Sequence, residues 1–314
     1  MKKKELDNLL VSYLYASFVA LFSYYMYHVY VGQDLALYAY YYENLTNDIF
    51  ESFLFYNRTL GSEEPIYFLI TFFFKGYVSK ELLMSFSNFF LAFFLSRLVL
   101  NTNVNILVWF SVVTNYYIWV LYLPAERLKF GFIFILASLH LLKMRHFFYA
   151  LSVMSHVQSF IAIYLIFSFR AKSYVIGFFK KPFRAFFGLF FLVVLFGSLF
   201  LLLKSQLFLK VEAYYSKGFD ISGALKVFVF MVLSFISFKK YLNKFDLISV
   251  FFPLLVLAFL LGGERIVMFA VCFFIALSLY YRKGKNLSFL IVSFYFLLKS
   301  IEFFYNTFTK GYAF

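Results

Sequence analysis

Apolar runs of about 20 residues recur along this chain, and that is the length an α-helix needs to cross a hydrocarbon core of roughly 30 Å. In such a medium every backbone donor and acceptor must be satisfied within its own segment. The chain is 64% hydrophobic with a mean hydropathy of +0.83. It therefore reads as an all-α polytopic membrane protein with about 9–11 transmembrane or half-membrane helices in a single integral domain spanning residues 1–314. Lys2-Lys3-Lys4 precedes the first run, Leu9–Val31. That run is too long for the apolar part of a signal peptide and has no small-residue cleavage site after it, so it reads as an uncleaved anchor. The 52 Phe and 27 Tyr fit lipid-facing bulk and interfacial belts. With Cys272 as the single cysteine, neither a disulfide framework nor a cysteine metal site is available.

Charge sets the expected topology. With Lys2, Lys3 and Lys4 in the cytoplasm, Leu9–Val31 runs outward. Residues 32–64 form an external loop carrying an amphipathic helix, and Pro65–Val78 is short enough to be re-entrant or interfacial. Glu81–Leu100 returns inward, Val104–Leu123 runs out and Ala125–Leu142 runs in. Phe147–Phe169 is long enough for one crossing, but that crossing would leave Arg170, Lys172, Lys180, Lys181 and Arg184 outside. A break at Ser155-His156, giving two half-helices, keeps them inside. Phe186–Leu203 then runs out to an external loop at 204–222. Gly223–Phe238, Leu247–Leu261, Arg265–Tyr281 and Leu287–Phe304 alternate to an external C-terminus. Seventeen of the 29 Lys and Arg but three of the 15 acids fall on the cytoplasmic side, which accounts for the whole net charge of +14. The basic excess is topological, and nucleic acid is not an expected partner.

Three acidic doublets sit at the external mouths of helices: Glu64-Pro65, Glu126-Arg127 and Glu264-Arg265. The strings Ala125-Glu126-Arg127-Leu128 and Gly263-Glu264-Arg265-Ile266 each open an apolar run. A carboxylate in a first turn complements the helix dipole, whereas a cation there is repelled. A guanidinium placed twice against that field points to an anionic ligand, since its planar fork matches phosphate oxygens bidentately. Arg127 and Arg265 together would clamp a pyrophosphate. The structural alternatives are snorkelling and pairing with Glu126 or Glu264, although adjacent residues on a helix do not face each other.

Other polar residues gather on the same side. Asp34, Tyr38, Tyr41 and Tyr42 share one helical face, which reads either as a carbohydrate-stacking surface or as an interfacial aromatic belt. Glu64 before Pro65 also suits ordinary helix initiation. His156, with Gln158, falls in the expected break, as a general base or as a helix–helix hydrogen bond. The 204–222 loop, with Tyr214, is long enough to cover a cavity. No His and acid spacing supports a metal site, and no phosphate loop or serine elbow appears, so no metal or other cofactor is expected. Spans almost free of charge, Lys226 and Lys299 apart, disfavour a transporter.

In order along the chain, Gly32-x-Asp34-x-x-x-Tyr38, Glu64-Pro65, Arg127 opening a mid-chain span, His156 in a broken helix and Glu264-Arg265 resemble the EpsG-like branch of the Wzy-type polysaccharide polymerases. The resemblance covers nearly the whole length through short motifs. It implies a metal-independent glycosyltransferase of GT-C type in the bacterial inner membrane, active on the external or periplasmic face. Its substrates would be undecaprenyl-pyrophosphate-linked repeat units of an O-antigen, capsule or exopolysaccharide, and a chain-length regulator is a candidate protein partner. On that reading Arg127 and Arg265 hold the pyrophosphate, His156 or Asp34 takes the acceptor proton, Glu64 orients sugar or Arg, and Glu264, Tyr38, Tyr41 and Tyr214 contact substrate. An O-antigen ligase, a sugar acyltransferase and a flippase for the same lipid-linked glycans are the alternatives.

Overall fold

The structure, a computed structural model, describes residues 3–30, 32, 34–168, 220–261 and 263–312. The expected span at 186–203, most of the 204–222 loop and Tyr214 lie outside the described residues. Those described are helical, without a strand among them. They divide into two compact units, one of residues 1–160 and 278–314 and the other of residues 161–277. Among the described residues five helices are long and apolar enough to cross a membrane, the mark of a multi-pass membrane protein.

In the first unit, α1 (Lys3–Val29) and α5 (Lys80–Asn101) pack along each other. The reason lies in one stripe of α1: Ser12, Ala16, Val19 and Ser23, spaced four, three and four apart, are fully buried. Small side chains let two backbones approach where lipid supplies no hydrophobic drive, and hydroxyls can then bond across the seam. The Ser96 hydroxyl donates to Ser12 Oγ at 3.1 Å, Ser85 Oγ lies 3.2 Å from Ser23 Oγ, and Ser85 also donates to the Ala20 carbonyl at 2.8 Å. The opposite stripe of α1, Leu10, Leu14, Phe18, Leu21 and Tyr25, is exposed. A large outward apolar face of that kind is the surface a bilayer covers.

Two short helices, α2 (Asp34–Glu43) and α3 (Ile49–Leu60), occupy the segment expected to hold one. Asp48 caps α3 through the amides of Phe50 and Glu51, and Gly61, with φ of 56°, ends it in the left-handed region. Pro65 opens α4 (Pro65–Phe74), a helix of the short length expected. The run read as one span at 104–123 is instead α6 (Ile106–Val113) and α7 (Tyr116–Tyr122). Asn115 makes the interruption, because its side chain accepts from the Tyr117 amide at 3.0 Å and starts a new helix. Ser300 of α14 (Leu287–Lys310) donates to the Thr114 carbonyl at 2.8 Å, satisfying a group the break would strand. Next come α8 (Glu126–His140) and α9 (Arg145–Ser155). His156 follows in extended conformation, and α10 (Ser159–Ser168) begins after a tight turn. The break expected at Ser155-His156 is therefore present.

The second unit contains α11 (Ile221–Phe238), α12 (Lys244–Leu261, with Pro253 inside it) and, as far as Leu277, α13 (Gly263–Arg282). Asp220 ties two helix starts together, one carboxylate oxygen accepting from the Gly223 amide at 2.8 Å and the other from the Gly263 amide at 2.6 Å. The backbones touch here. A Cβ on Gly223 would lie 2.3 Å from the Gly263 Cα, so neither glycine accepts a side chain without a helix moving.

Candidate functional site

Glu64 is the centre of a buried polar cluster at the end of the first unit where α1 stops and α5 starts. It occupies the position before Pro65 but makes no side-chain cap to α4. Its carboxylate is fully buried and takes four donors, the number its two oxygens accommodate. Oε1 accepts from His156 Nδ1 at 2.7 Å and from the Val157 amide at 3.2 Å. Oε2 accepts from the Ser62 hydroxyl at 2.7 Å and from Arg127 Nη1 at 3.2 Å. Tyr56 donates in turn to Ser62 Oγ at 3.1 Å. Both oxygens are thus engaged in holding the residues around them.

The partner fixes the histidine. An ionised carboxylate only accepts, so Nδ1 of His156 carries a proton and, in the neutral ring, Nε2 carries the lone pair. The Gln158 side-chain oxygen lies 3.3 Å from Nε2, placed to accept a hydrogen bond once Nε2 is protonated. This carboxylate–imidazole pair has the orientation a general base needs. It comes close because α8 presents Gly131 to the break: a Cβ there would sit 2.0 Å from Ser159 Oγ, and Ser152 donates to the Gly131 carbonyl at 2.9 Å.

Arg127 links this pair to a second one. Its Nε donates to the Tyr38 hydroxyl at 3.2 Å. The Tyr38 ring lies between two cations, with Arg127 Cζ 6.0 Å and Lys80 Nζ 5.8 Å from its centroid. Lys80 Nζ is 2.9 Å from Glu126 Oε1, a charge contact more than a directed hydrogen bond, and donates to the Leu35 carbonyl at 3.1 Å. Tyr67 donates to Glu126 Oε2 at 3.0 Å. One turn further along α8, Lys129 is fully buried and donates to the Tyr27 hydroxyl at 2.6 Å, which donates to the Tyr122 carbonyl at 2.7 Å. The cluster sets Lys80 and Arg127 against Glu126 and Glu64, with Lys129 buried beside them. A buried charge is expensive unless it is paired, and each of these two carboxylates has a cation beside it.

The cluster brings together Glu64, Arg127, His156 and Tyr38 from four separate segments. Other sequence expectations fare differently. The face of α2 that carries Tyr38, Tyr41 and Tyr42 turns inward: all three are buried, and Tyr41 packs on Phe55, Tyr56 and Tyr67. Tyr41 thus packs inside a cluster of aromatic rings, and its hydroxyl lies 2.8 Å from Thr71 Oγ1. Burial pushes the Tyr42 phenol up to about 12, so it stays a neutral donor, to the Val78 carbonyl at 2.9 Å. Asp34 is exposed at the start of α2, apart from the inward face its spacing suggested. Glu264 pairs with Lys226, and both are substantially exposed; Arg265 is exposed in the first turn of α13. Glu126 and Glu264 thus form ion pairs with lysines of other helices, Lys80 and Lys226. His28 and His140 contact backbone carbonyls, as structural residues do.

Lys80, Lys129, Tyr27, Tyr67 and Ser62 escape a reading of the sequence, though two carry a signal. Lys80 opens α5 directly after its cap, Ser79, so it is a cation in a first turn, like Arg127. Lys129 breaks an apolar run and is a further exception to the expectation of charge-free spans. Among the described residues no group of three or more His, Cys, Asp or Glu is placed to hold a metal ion.

A helical membrane protein with a buried cluster of paired charges and a carboxylate-held histidine is the class that fold and site define. Comparison with family models, with curated proteins and with solved structures returned no match.

Proposed function

We propose that this chain is a metal-independent membrane glycosyltransferase of GT-C type that polymerises undecaprenyl-pyrophosphate-linked repeat units on the external face of a bacterial inner membrane, as the resemblance to the EpsG-like Wzy-type enzymes implies. The single observation that carries the reading is the Arg127 guanidinium held beside the His156–Glu64 pair. A lipid pyrophosphate brings the anionic oxygens that a guanidinium binds, and a glycosyl acceptor brings the hydroxyl that a base must deprotonate.

In this reading Arg127 binds the pyrophosphate with the donors that Glu64 and Tyr38 leave over, and neutralises the charge that grows on the leaving oxygen. His156 Nε2 takes the acceptor hydroxyl proton as the acceptor oxygen bonds to the anomeric carbon. The bond from that carbon to the pyrophosphate breaks, and the lipid pyrophosphate departs with its electron pair. The imidazolium, held by Glu64 and Gln158, then returns its proton to solvent. Asp34, exposed on α2, is the lesser candidate for the base.

A deletion strain complemented with wild type or with Arg265→Ala tests the reading in cells. The strain should accumulate single repeat units on the carrier, and wild type should restore a ladder of chain lengths. Arg265→Ala should shorten that ladder at an equal membrane level of protein; wild-type lengths would remove Arg265 from phosphate binding. An unchanged ladder in the deletion strain itself would reject the polymerase.

The buried Lys129 favours one second reading, a transporter of the same lipid-linked glycans, because charge inside a helical membrane protein often marks a pathway. That reading predicts substrate trapped on the cytoplasmic leaflet of the deletion strain, whereas loss of a polymerase leaves it on the external one.

A further inference from the structure

The far ends of α1 and α5 hold a polar cavity, of about 580 Å³, lined by Lys4, Glu5, Asn8, Arg97, Asn101 and Asn103 together with Leu9. Lys4 and Tyr27 lie 23 residues apart on one helix, roughly 35 Å at 1.5 Å per residue. The cavity and the Glu64 cluster are therefore separated by the thickness of a bilayer, at opposite ends of one helix pair.

Its lining is organised. Lys4 Nζ donates to the Asn103 side-chain oxygen at 2.6 Å, and Asn8 Nδ2 lies 3.5 Å from the Leu100 carbonyl. Asn103 holds φ at 57°, a left-handed conformation that non-glycine residues adopt mainly where local hydrogen bonding supports it. Lys4 and Arg97 against Glu5 leave one net positive charge, which matches a phosphodiester monoanion. Three asparagine amides add donors and acceptors suited to hydroxyl groups. The volume is that of a small-molecule site, and basic pockets between helix ends are where lipid headgroups bind.

We propose that this cavity binds the headgroup of an anionic phospholipid in the leaflet opposite the Glu64 cluster, with Arg97 as the principal phosphate ligand and the asparagines selecting a hydroxylated headgroup. On the charge count this is the cytoplasmic leaflet. The inference rests on the membrane-spanning helices and is independent of the glycosyltransferase reading.

Full-length protein in nanodiscs of phosphatidylcholine, with and without phosphatidylglycerol, provides the test, read by native mass spectrometry of retained lipid and by melting temperature. Wild type should retain phosphatidylglycerol in preference to phosphatidylcholine and melt higher in its presence. Arg97→Gln removes one charge-assisted bond and should weaken that retention about tenfold or more. Asn101→Ala, a smaller change, should weaken it in the same direction should Arg97→Gln not fold. Equal retention of the two lipids by wild type, or undiminished preference in the variants, overturns the proposal. Glycerol phosphate added to phosphatidylcholine discs separates the sources: the same rise in melting temperature from the free anion would assign the cavity to a soluble ligand and overturn the lipid.

Discussion

Glu64→Ala is expected to destabilise the folded protein by about 3–5 kcal/mol, the loss typical when one partner is removed from a buried ion pair. The magnitude follows from what the carboxylate holds. Arg127 and His156 both depend on it, and the Ser62 hydroxyl and the Val157 amide would lose their acceptor as well. Arg127 would be left inside the protein with the Tyr38 hydroxyl and no carboxylate. Glu64→Gln keeps the shape and the carbonyl oxygen but discards the charge, so it should fold better than Glu64→Ala while still failing to orient His156. Membrane levels and detergent melting curves of the two variants, beside their glycan products, check this. Wild-type stability in Glu64→Ala would mean that the pairing of Arg127 and His156 through Glu64 is not what organises the site.

His156→Asn should lower product formation by about 10²–10⁴, the usual contribution of a positioned general base, with no loss of protein from the membrane. Asparagine suits the comparison because its amide can still donate to Glu64 where Nδ1 does, while nothing replaces Nε2. Asp34→Asn beside it decides between the two candidates for the base: the variant with the larger loss of turnover carries the acceptor proton. A loss below tenfold in His156→Asn would reduce His156 to a residue that positions Arg127 through Glu64.

The helices and the break were legible because their causes are local. Apolar length marked α1, α5, α11, α13 and α14, Pro65 marked the start of α4, and the charge that follows residue 169 forced an interruption at His156. The interruption between α6 and α7 was not legible, because Asn115 reads as one polar residue in an apolar run until its side chain is seen capping α7. The site was legible by type and not by pairing. Arg127 stood out against the helix dipole, but its partner Glu64 lies 63 positions away, and neighbouring Glu126 pairs with Lys80 instead. Periodicity placed three tyrosines of α2 on one face, yet the inside or outside of that face depends on α3 and α4, which no single-helix pattern contains. Lys80 could have been found with the argument applied to Arg127, since both are cations in a first turn.

Purified protein reconstituted in liposomes with an undecaprenyl-pyrophosphate-linked oligosaccharide tests the central claim most directly. The account predicts conversion of the single repeat into a ladder, with undecaprenyl pyrophosphate released for each bond formed and both products lost in Arg127→Ala. Folded wild-type protein that leaves the lipid-linked repeat unit unchanged, or an Arg127→Ala variant that extends it at the wild-type rate, would contradict it.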